Sequence, residues 1–431
     1  MSRGLKERKK PSSSLHGKAC AAVLASCVLG WCGAAHAQVT TAADFLGLIR
    51  QSAHAHPLTQ SAARNVDAAR QDQQMAKWQR FPTPSFQSQA PQDRQADGTV
   101  NRLLLEQPLY AGGRIDAGID AAEHRQTASL HQQAQIAQET AIRLINTWYE
   151  WQRQRDRLAV QQEAVEAHRQ LRQQIERRAQ EGVSTQIDLA LASARLSQVQ
   201  TDMAQTQSAL STATAQLRQL AGDQWPSLMS VGEQLSLQAL PQPLPEWKAL
   251  SVARDPQLAK YLAEEQAAEA DIRAKKGQLM PAISLVMDRN FSGPQTGHRT
   301  WLQVSVQPGA GLSTAAGIRA ALARKESAAE SRRNVEQELR QALAADFASH
   351  KATVEQIGVG NLLRQSTQEV ADSYARQFVA GRKSWQEVLN AVREAMQARL
   401  SVMDAQALFA QTAWRLHLRA FGLESTPGAA S

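Results

Sequence analysis

Four histidines are the residues of this sequence whose spacing comes closest to that of a metal site. His54 and His56 are separated by one residue, and His124 and His131 lie seven positions apart. A zinc site needs further cysteine, histidine or carboxylate ligands at short spacing, and neither pair is accompanied by such a set. We therefore expect solvated or interface histidines, with no bound metal and no other cofactor.

Catalytic motifs are equally scarce. The sequence contains no Gly-x-Ser-x-Gly, no His-Glu-x-x-His and no phosphate-binding P-loop. The glycine pairs Gly112-Gly113 and Gly309/Gly311 resemble a phosphate loop only superficially, because no Gly-Lys-Ser/Thr follows either of them. We predict that the protein is not an enzyme.

Two short segments, 199 residues apart, share a glycine, a hydroxyl residue and an acid at the same offsets. They are Gly182, Thr185 and Asp188, and Gly381, Ser384 and Glu387. A glycine suits the left-handed backbone that ends many helices, and a hydroxyl residue with an acid three positions later forms a capping box for the next helix. The pattern predicts two tips of helical hairpins, where capping is the main role of both acids.

The charge distribution points to a targeting signal rather than to a polyanion-binding surface. Residues 1–37 hold six of the 48 basic residues and one of the 40 acidic ones, so the remaining chain carries 42 basic and 39 acidic residues, a net charge of +3. A charged start, an apolar run over 19–33 and Ala35-His36-Ala37 predict a signal peptide, 1–37. Lipidation at Cys27 is the alternative. Since basic and acidic residues alternate in the mature chain, we expect no nucleic-acid partner.

The mature chain is an internal duplication with an offset of 199 or 200 residues. Pro57 corresponds to Pro256, Gln107-Pro108 to Gln307-Pro308, and Gly182 to Gly381. The boundaries predicted from these matches are a first repeat over 38–222, a proline-containing linker over 223–244, a second repeat over 245–422 and a disordered tail over 423–431. Long duplications of this kind indicate repeated structural units.

Each repeat shows the same order of local patterns. A short helix, 42–79 or 250–278, precedes a β-hairpin, 83–109 or 282–307. The strand pattern is clearest where Leu302, Val304 and Val306 alternate with polar residues. Long proline-free stretches follow, and they predict helices over 114–180, 185–221, 315–380 and 384–421.

Heptad repeats predict how these long helices pack. Apolar residues recur every seven positions, which indicates coiled-coil contact with neighbouring helices. The repeating positions are Leu144, Trp151, Leu158 and Val165; Leu189, Leu196, Met203, Leu210 and Leu217, with Ala192, Val199, Thr206, Ala213 and Leu220; and Val388, Ala395, Val402, Phe409 and Leu416. Residues 114–180 alone would span about 100 Å, far more than a globular helix.

Four strands are too few to close a membrane barrel, since the smallest single-chain barrels have about eight. Open strand edges in lipid would leave backbone groups without hydrogen bonds. If the strands enter a membrane, several chains must therefore share one barrel. The alternative is a pair of soluble hairpins that cap a periplasmic coiled coil.

Taken together, these features resemble the TolC family of outer-membrane channel proteins. The resemblance is strongest at the run from Gln107 to Arg114, which leaves a strand for a long helix, and at the turn that holds Gly182 and Asp188. It covers about 42–422. It implies a mainly α fold with a small β part. Long antiparallel helical hairpins would form a tunnel, and a homotrimer would share a transmembrane β-barrel of four strands per chain in the outer membrane.

The same resemblance implies the partners. A tunnel of this family extends into the periplasm and docks on a periplasmic adaptor protein and an inner-membrane transporter, while the strands contact outer-membrane lipid. The segment 377–394 is most similar to members that serve type I secretion of adhesins, which would make the transporter an ABC transporter. Small-molecule efflux is the alternative within the family, and a structural periplasmic coiled-coil protein is the alternative outside it.

Site residues follow from the resemblance position by position. Family members place two inward acids near the start of the last helix, which correspond to Glu387 and Asn390, so the second position is neutral here. Lys383 matches a basic position of the family's tip. The remaining expected positions are the tip residues Gly182, Thr185, Asp188, Gly381, Arg382 and Ser384, which would dock the adaptor and cap helices, and the strand-to-helix joints Pro108, Gly112, Gly113, Pro308 and Gly309.

Overall fold

The structure is a computed structural model that describes residues 42–89, 99–233, 241–291, 296–306, 309–310 and 313–423. The predicted signal peptide lies outside these ranges, as do the turns of both β-hairpins and Pro308. Among the residues that the structure describes, no helix combines the length and the apolarity needed to cross a membrane.

The architecture is mainly α-helical with one small sheet, as the sequence predicted. In chain order the helices are α1 Ala42–Ala55, α2 Pro57–Trp78, α3 Arg114–Gln180, α4 Gln186–Ala221, α5 Trp225–Glu233, α6 Trp247–Arg254, α7 Pro256–Gly277, α8 Ser313–Val379 and α9 Trp385–Phe421. The strands are β1 Thr83–Gln89, β2 Val100–Tyr110, β3 Ala282–Asn290 and β4 Gly297–Ser305. A 3₁₀ turn at 222–224 links α4 to α5.

The two short helices expected over 42–79 and 250–278 are each divided in two. Proline fixes its own φ and disfavours helical backbone in the residue before it, so Pro57 and Pro256 each start a new helix. His56 is accordingly extended, and its Nδ1 accepts a hydrogen bond from the Leu58 N–H at 3.3 Å. Asp255 does the same for the Leu258 N–H at 2.9 Å.

The segment predicted as a linker, 223–244, contains the helix α5 in its described part. Leu228 of this helix is fully buried, and Gly232 lies so close to Trp148 that a methyl group there would overlap the indole ring. The predicted tail also needs correction at its first residue. Leu423 is buried in the same core as Trp148.

On one side of this core the helices lie side by side in the order α4, α3, α9, α8. On its other side the order of neighbouring helices is α2, α3, α7, α8. In α4 one of the two predicted heptad seams is buried throughout, at Ala192, Val199, Thr206, Ala213 and Leu220, and Leu217 of the other seam is also buried. Leu189, Leu196, Met203 and Leu210 of the neighbouring seam are only half-buried. Because α4 and α8 are the outer helices of the row, each has a side that this chain leaves uncovered.

The sheet is antiparallel with the order β1-β2-β3-β4, so the two repeats join through β2 and β3. Cross-strand partners give it two unlike faces. One face is mainly apolar, with polar exceptions such as Gln107, Arg289 and His298, and its exposed members include Phe86, Leu302 and Val304, each about two-thirds exposed. On the other face the Arg102 guanidinium donates two hydrogen bonds to the Asp288 carboxylate, at 2.9 and 2.8 Å. One water-facing and one apolar face are typical of strands at a boundary between water and lipid.

The central core surrounds a set of aromatic residues where α1 and α5 pack on α3, α4 and α9. Phe45 contacts Trp148 and Trp414 at ring-centroid distances of 5.8 and 5.5 Å. All three side chains are essentially inaccessible to water. Burial of this size stabilises the fold by roughly 2–3 kcal/mol per large side chain.

A histidine lies in the neighbouring aromatic cluster without a polar partner. His417 of α9 is 4% exposed, and its ring is 5.1 Å from Phe421 and 5.8 Å from both Trp247 and Trp414. Neither ring nitrogen has a hydrogen bond. Burial therefore lowers the pKa of His417 from 6.5 to about 4, and the ring is neutral at pH 7.

We predict that His417 makes this core sensitive to acid. Its folded pKa is depressed, so its stabilising effect is complete above pH 6.5 and is lost as the pH falls toward 4, by about 3 kcal/mol in all. The replacement His417→Phe cannot take up a proton, and it should flatten the fall of the thermal unfolding midpoint between pH 6.5 and 4 relative to wild type.

The comparison with wild type also controls for the other buried ionisable groups nearby. Burial raises the pKa values of Asp255 and Asp346, so their protonation at low pH favours the folded state, in contrast to that of His417. This contribution is the same in the variant and in the wild type. Equal slopes of midpoint against pH in the variant and the wild type would contradict the prediction.

Candidate functional site at the hairpin tips

The first tip joins α3 to α4 through a helix end of the expected geometry. Gly182 has a φ of +77°, and the N–H of Val183 returns to the carbonyl of Arg178 at 2.8 Å. Thr185 then caps α4. Its hydroxyl accepts from the Asp188 N–H at 3.1 Å, while an Asp188 carboxylate oxygen accepts from the Thr185 N–H at 3.0 Å.

The second tip repeats this geometry between α8 and α9. Gly381 has a φ of +72°, and the N–H of Arg382 donates to the Gln377 carbonyl at 2.9 Å. Ser384 and Glu387 form the capping box, with N–H to oxygen distances of 3.0 and 3.3 Å. Both tips thus contain the predicted boxes, each of which is typically worth about 1 kcal/mol to its helix.

Glu387 is engaged through both carboxylate oxygens. One is held by Ser384, and the other contacts the Lys383 ammonium at 2.5 Å. The Lys383 hydrogen bond, together with those from Ser384, lowers the pKa of Glu387 to about 2, and the same contact raises the pKa of Lys383. The lysine also lies over the Tyr374 ring at 4.4 Å. Within one chain, Glu387 is therefore half of an ion pair rather than a bare anion.

Asn390 lies one helical turn beyond Glu387 and is exposed, and Arg382 is exposed at the turn itself. The spacing places Glu387 and Asn390 on the same side of α9. The structure thus brings Lys383, Ser384 and Glu387 into direct contact and leaves Asn390 outside that group.

Two contacts between the tips were not predicted from the sequence. The indole N–H of Trp385 donates to Asp188 at 3.1 Å, and the Arg178 guanidinium stacks on the Phe378 ring at 4.2 Å and donates to the Phe378 carbonyl at 3.2 Å. Around them Leu171, Ile175, Ala192, Phe378, Trp385 and Val388 form a small apolar core. The sequence feature that could have predicted these contacts is the presence of two aromatic residues, Phe378 and Trp385, beside an otherwise polar turn.

In the described ranges, no group of three or more His, Cys, Asp and Glu side chains is arranged to hold a metal ion. Hydrogen bonds from Thr185 lower the pKa of Asp188, and the one from its backbone N–H has the largest effect. Both tip acids are therefore ionised at neutral pH. What this arrangement can do is to hold two helical hairpins together at one end.

The family model for outer membrane efflux proteins matches residues 48–223 and 248–419, one match for each repeat. The chain belongs to this family. Members form homotrimeric channels that work with adaptor proteins and inner-membrane transporters, and they are located in the outer membrane and extend into the periplasm. The predicted family and location are therefore confirmed. No curated protein has a significantly similar sequence.

Solved structures of outer-membrane proteins share the fold of this efflux-family chain. A membrane protein from Pseudomonas aeruginosa has a TM-score of 0.77 at 18% identity, covering 88% of this chain and 92% of its own. VceC from Vibrio cholerae has a TM-score of 0.76 at 14% identity, covering 89% and 100%. The open state of the Neisseria gonorrhoeae channel MtrE has a TM-score of 0.71 at 14% identity, covering 88% and 90%. At these identities the likeness concerns the fold alone.

The strand-to-helix joint of this family member is tightly built in the first repeat. Pro108 does not end its strand as expected, because β2 continues to Tyr110 with a bulge between the two residues. A bulge tolerates the missing N–H of proline. Gly112 and Gly113 then adopt φ values of +60° and +77° before α3 begins. Gly309 of the second joint has a φ of +79°, and Pro308 lies outside the described residues.

The two glycines of the first joint should respond differently to substitution. In Gly112→Ala the added carbon would lie 2.4 Å from Met280 Cβ and 2.6 Å from the Gly277 carbonyl, whereas in Gly113→Ala it would meet open space. Gly113→Ala should cost about 1 kcal/mol for the left-handed backbone. Gly112→Ala should cost about 2 kcal/mol more because of the overlap.

The measurement is the temperature at which the purified oligomer dissociates on a semi-native gel. Gly113→Ala is the matched control, since it shares the backbone strain and lacks the overlap. Dissociation temperatures that fall equally in the two variants would show that the close approach to α7 does not constrain the joint.

Proposed function

We propose that this chain is the outer-membrane duct of a type I secretion system, through which an inner-membrane ABC transporter exports an adhesin-like protein. The observation that carries the duct is the sheet. Its four strands have one mainly apolar face, and the outer edges of β1 and β4 pair with no further strand among the described residues. Three copies would pair these edges and close a barrel of twelve strands, which removes unsatisfied backbone from lipid.

The helical part supports the same proposal. Chains that leave the sheet at Gly112-Gly113 and at Gly309 continue directly into α3 and α8, which have 67 residues each, or about 100 Å. A barrel continued by such helices provides a water-filled route across the periplasm. The chain contributes no energy of its own to transport, so a transporter of the inner membrane must drive it.

The choice of protein secretion rests on the second tip. The segment 377–394, which holds Lys383, Ser384 and Glu387, is similar to that of members that export adhesins. Small-molecule efflux is the second candidate, and the description of the matching family as efflux proteins favours it.

Deleting the gene should separate these candidates. We expect the deletion strain to lose an adhesin from the cell surface and to retain wild-type resistance to drugs and detergents, and a plasmid copy should restore the adhesin. The measurements are surface labelling of secreted protein and minimal inhibitory concentrations. Loss of drug resistance with an unchanged surface would replace secretion by efflux.

We further propose that the tips form the pore constriction and gate. In a trimer, equivalent residues surround one axis, so Glu387 and Asn390 would form two rings at the tunnel end, and rings of charge select and gate ions in channels. The Lys383 ion pair supports a gate that is held by contacts rather than by repulsion. Exposed pairs of this kind are worth at most about 1 kcal/mol each, so several must act together.

Removing these contacts should open the tunnel end. The double variant Glu387→Gln with Lys383→Ala should raise single-channel conductance in planar bilayers, because the ion pair and the capping carboxylate are lost together. Glu166→Gln with Arg169→Ala is the matched control, since it removes an exposed ion pair of α3 far from the tip. An unchanged conductance in the tip variant would contradict the gate assignment.

A further inference from the structure

We propose that three cationic side chains per chain, Arg114, Lys275 and Arg324, line the channel just below the barrel and make that section selective for anions and for acidic cargo. We call them the basic trio. The inference rests on the proposed duct and adds to it the charge of the substrate. The trio is separate from the tips and belongs to the opposite end of α3 and α8.

The first step is to decide which side of the helices faces the lumen. In the proposed barrel the apolar face of the sheet meets lipid, so the polar face lines the lumen. A cavity on that polar face is lined by Glu106 and Ser284 of the strands, and by Gln79, Arg114 and Gln278 at the helix ends. The side of the helices that continues the polar face is therefore the luminal side.

A second cavity extends this side down the helices. It has a volume of about 480 Å³ and shares Gln79, Arg114 and Gln278 with the first. All three members of the basic trio line it, one each from α3, α7 and α8. The same cavity is also lined by Gly118, Ala267, Ala268, Ala274 and Ala321. Their side chains are too short to cover the three charged groups.

The acids of this cavity are already engaged. Asp271 pairs with Arg125, and Glu264 pairs with Lys260 of its own helix at 3.8 Å. Within the part of the chain that the structure describes, no side-chain hydrogen bond or ion pair involves any member of the basic trio. Glu106, which lines the adjoining cavity, also has no side-chain hydrogen bond or ion pair among the described residues.

Charged residues of the same helices that do not line the cavity show the contrast. Arg80 pairs with Asp116, Arg273 with Asp120, Lys325 with Glu269 and Arg332 with Glu265. Gln107, which lies on the apolar face of the sheet, donates to the Arg80 carbonyl at 2.9 Å, which places the Arg80 backbone on the side away from the proposed lumen. None of the residues in these four pairs lines either cavity. On α7, Arg273 and Lys275 are two residues apart and thus about 200° apart around the helix.

The charges outside the cavity therefore join helices, and inside it the Arg125–Asp271 pair does the same, whereas the basic trio takes part in no ion pair. Four cationic and two acidic side chains line the cavity, so cations are in excess, and the three without an ion pair repel one another, which helix packing alone does not explain. In a trimer they make nine cations around one section of the tunnel. Such rings attract anions and lower the barrier to acidic segments of a passing polypeptide.

Ion selectivity tests the inference directly. The purified trimer is reconstituted in planar bilayers with a KCl gradient, and the reversal potential is compared with that of the triple variant Arg114→Gln, Lys275→Gln, Arg324→Gln. We expect the variant to lose chloride selectivity several-fold. The matched control is the triple variant Arg80→Gln, Arg273→Gln, Lys325→Gln, which removes three charges outside the lumen and should retain the wild-type reversal potential.

Polyglutamate added to the barrel side should block the wild type and the control at lower concentration than it blocks the trio variant. Equal reversal potentials in all three proteins, or an equal shift in the control, would overturn the inference while leaving the duct intact. Absence of conductance in the wild type would overturn the duct itself. If the trio variant fails to form trimers, Arg324→Gln is compared with Lys325→Gln, its neighbour on α8, by the same criterion.

Discussion

The division of the sheet into an apolar and a polar face is the constraint on which the rest of the molecule depends. Phe86, Leu302 and Val304 are exposed on one face of the isolated chain, and the Arg102–Asp288 pair lies on the other. Since β2 and β3 join the two repeats in one sheet, both repeats must present the same face to lipid. The short joints at Gly112-Gly113 and Gly309 connect the sheet directly to α3 and α8. The orientation of the sheet therefore also determines which side of each long helix faces the proposed water-filled lumen.

The packing of the long helices leaves the single chain incomplete at its sides. In α4 the seam from Ala192 to Leu220 is buried and contacts α3, while in the seam beside it Leu217 is buried and the other four residues are only half-buried. In α8, Val359 and Leu362 are about 70% exposed. Apolar residues on the two outer helices of a row have no further helix to contact within the chain. A homotrimeric family solves this by closing the row on itself, so the same assembly that pairs the strand edges also covers these seams.

Local patterns predicted most of this fold, and contacts between distant residues could not be predicted in the same way. The bounds of α3 coincide with the range inferred from the proline-free stretch, and both capping boxes lie at the expected positions, because capping involves residues only three apart. The division at His56 was missed although Pro57 was evident. The Trp385–Asp188 hydrogen bond spans 197 residues, and the burial of His417 depends on three aromatic residues from α6 and α9. No periodicity within one helix contains that information.

The tips show how a duplicated chain acquires specific pairing. At the offset of the repeat, Phe378 corresponds to Ala179 and Trp385 to Gln186, so only the second tip has the aromatic residues. The first tip supplies the complementary groups, the Arg178 guanidinium and the Asp188 carboxylate. Two identical tips would bind a copy of themselves as well as each other. Because the groups differ, the Trp385–Asp188 and Arg178–Phe378 contacts require one tip of each kind, which the two repeats of a single chain supply.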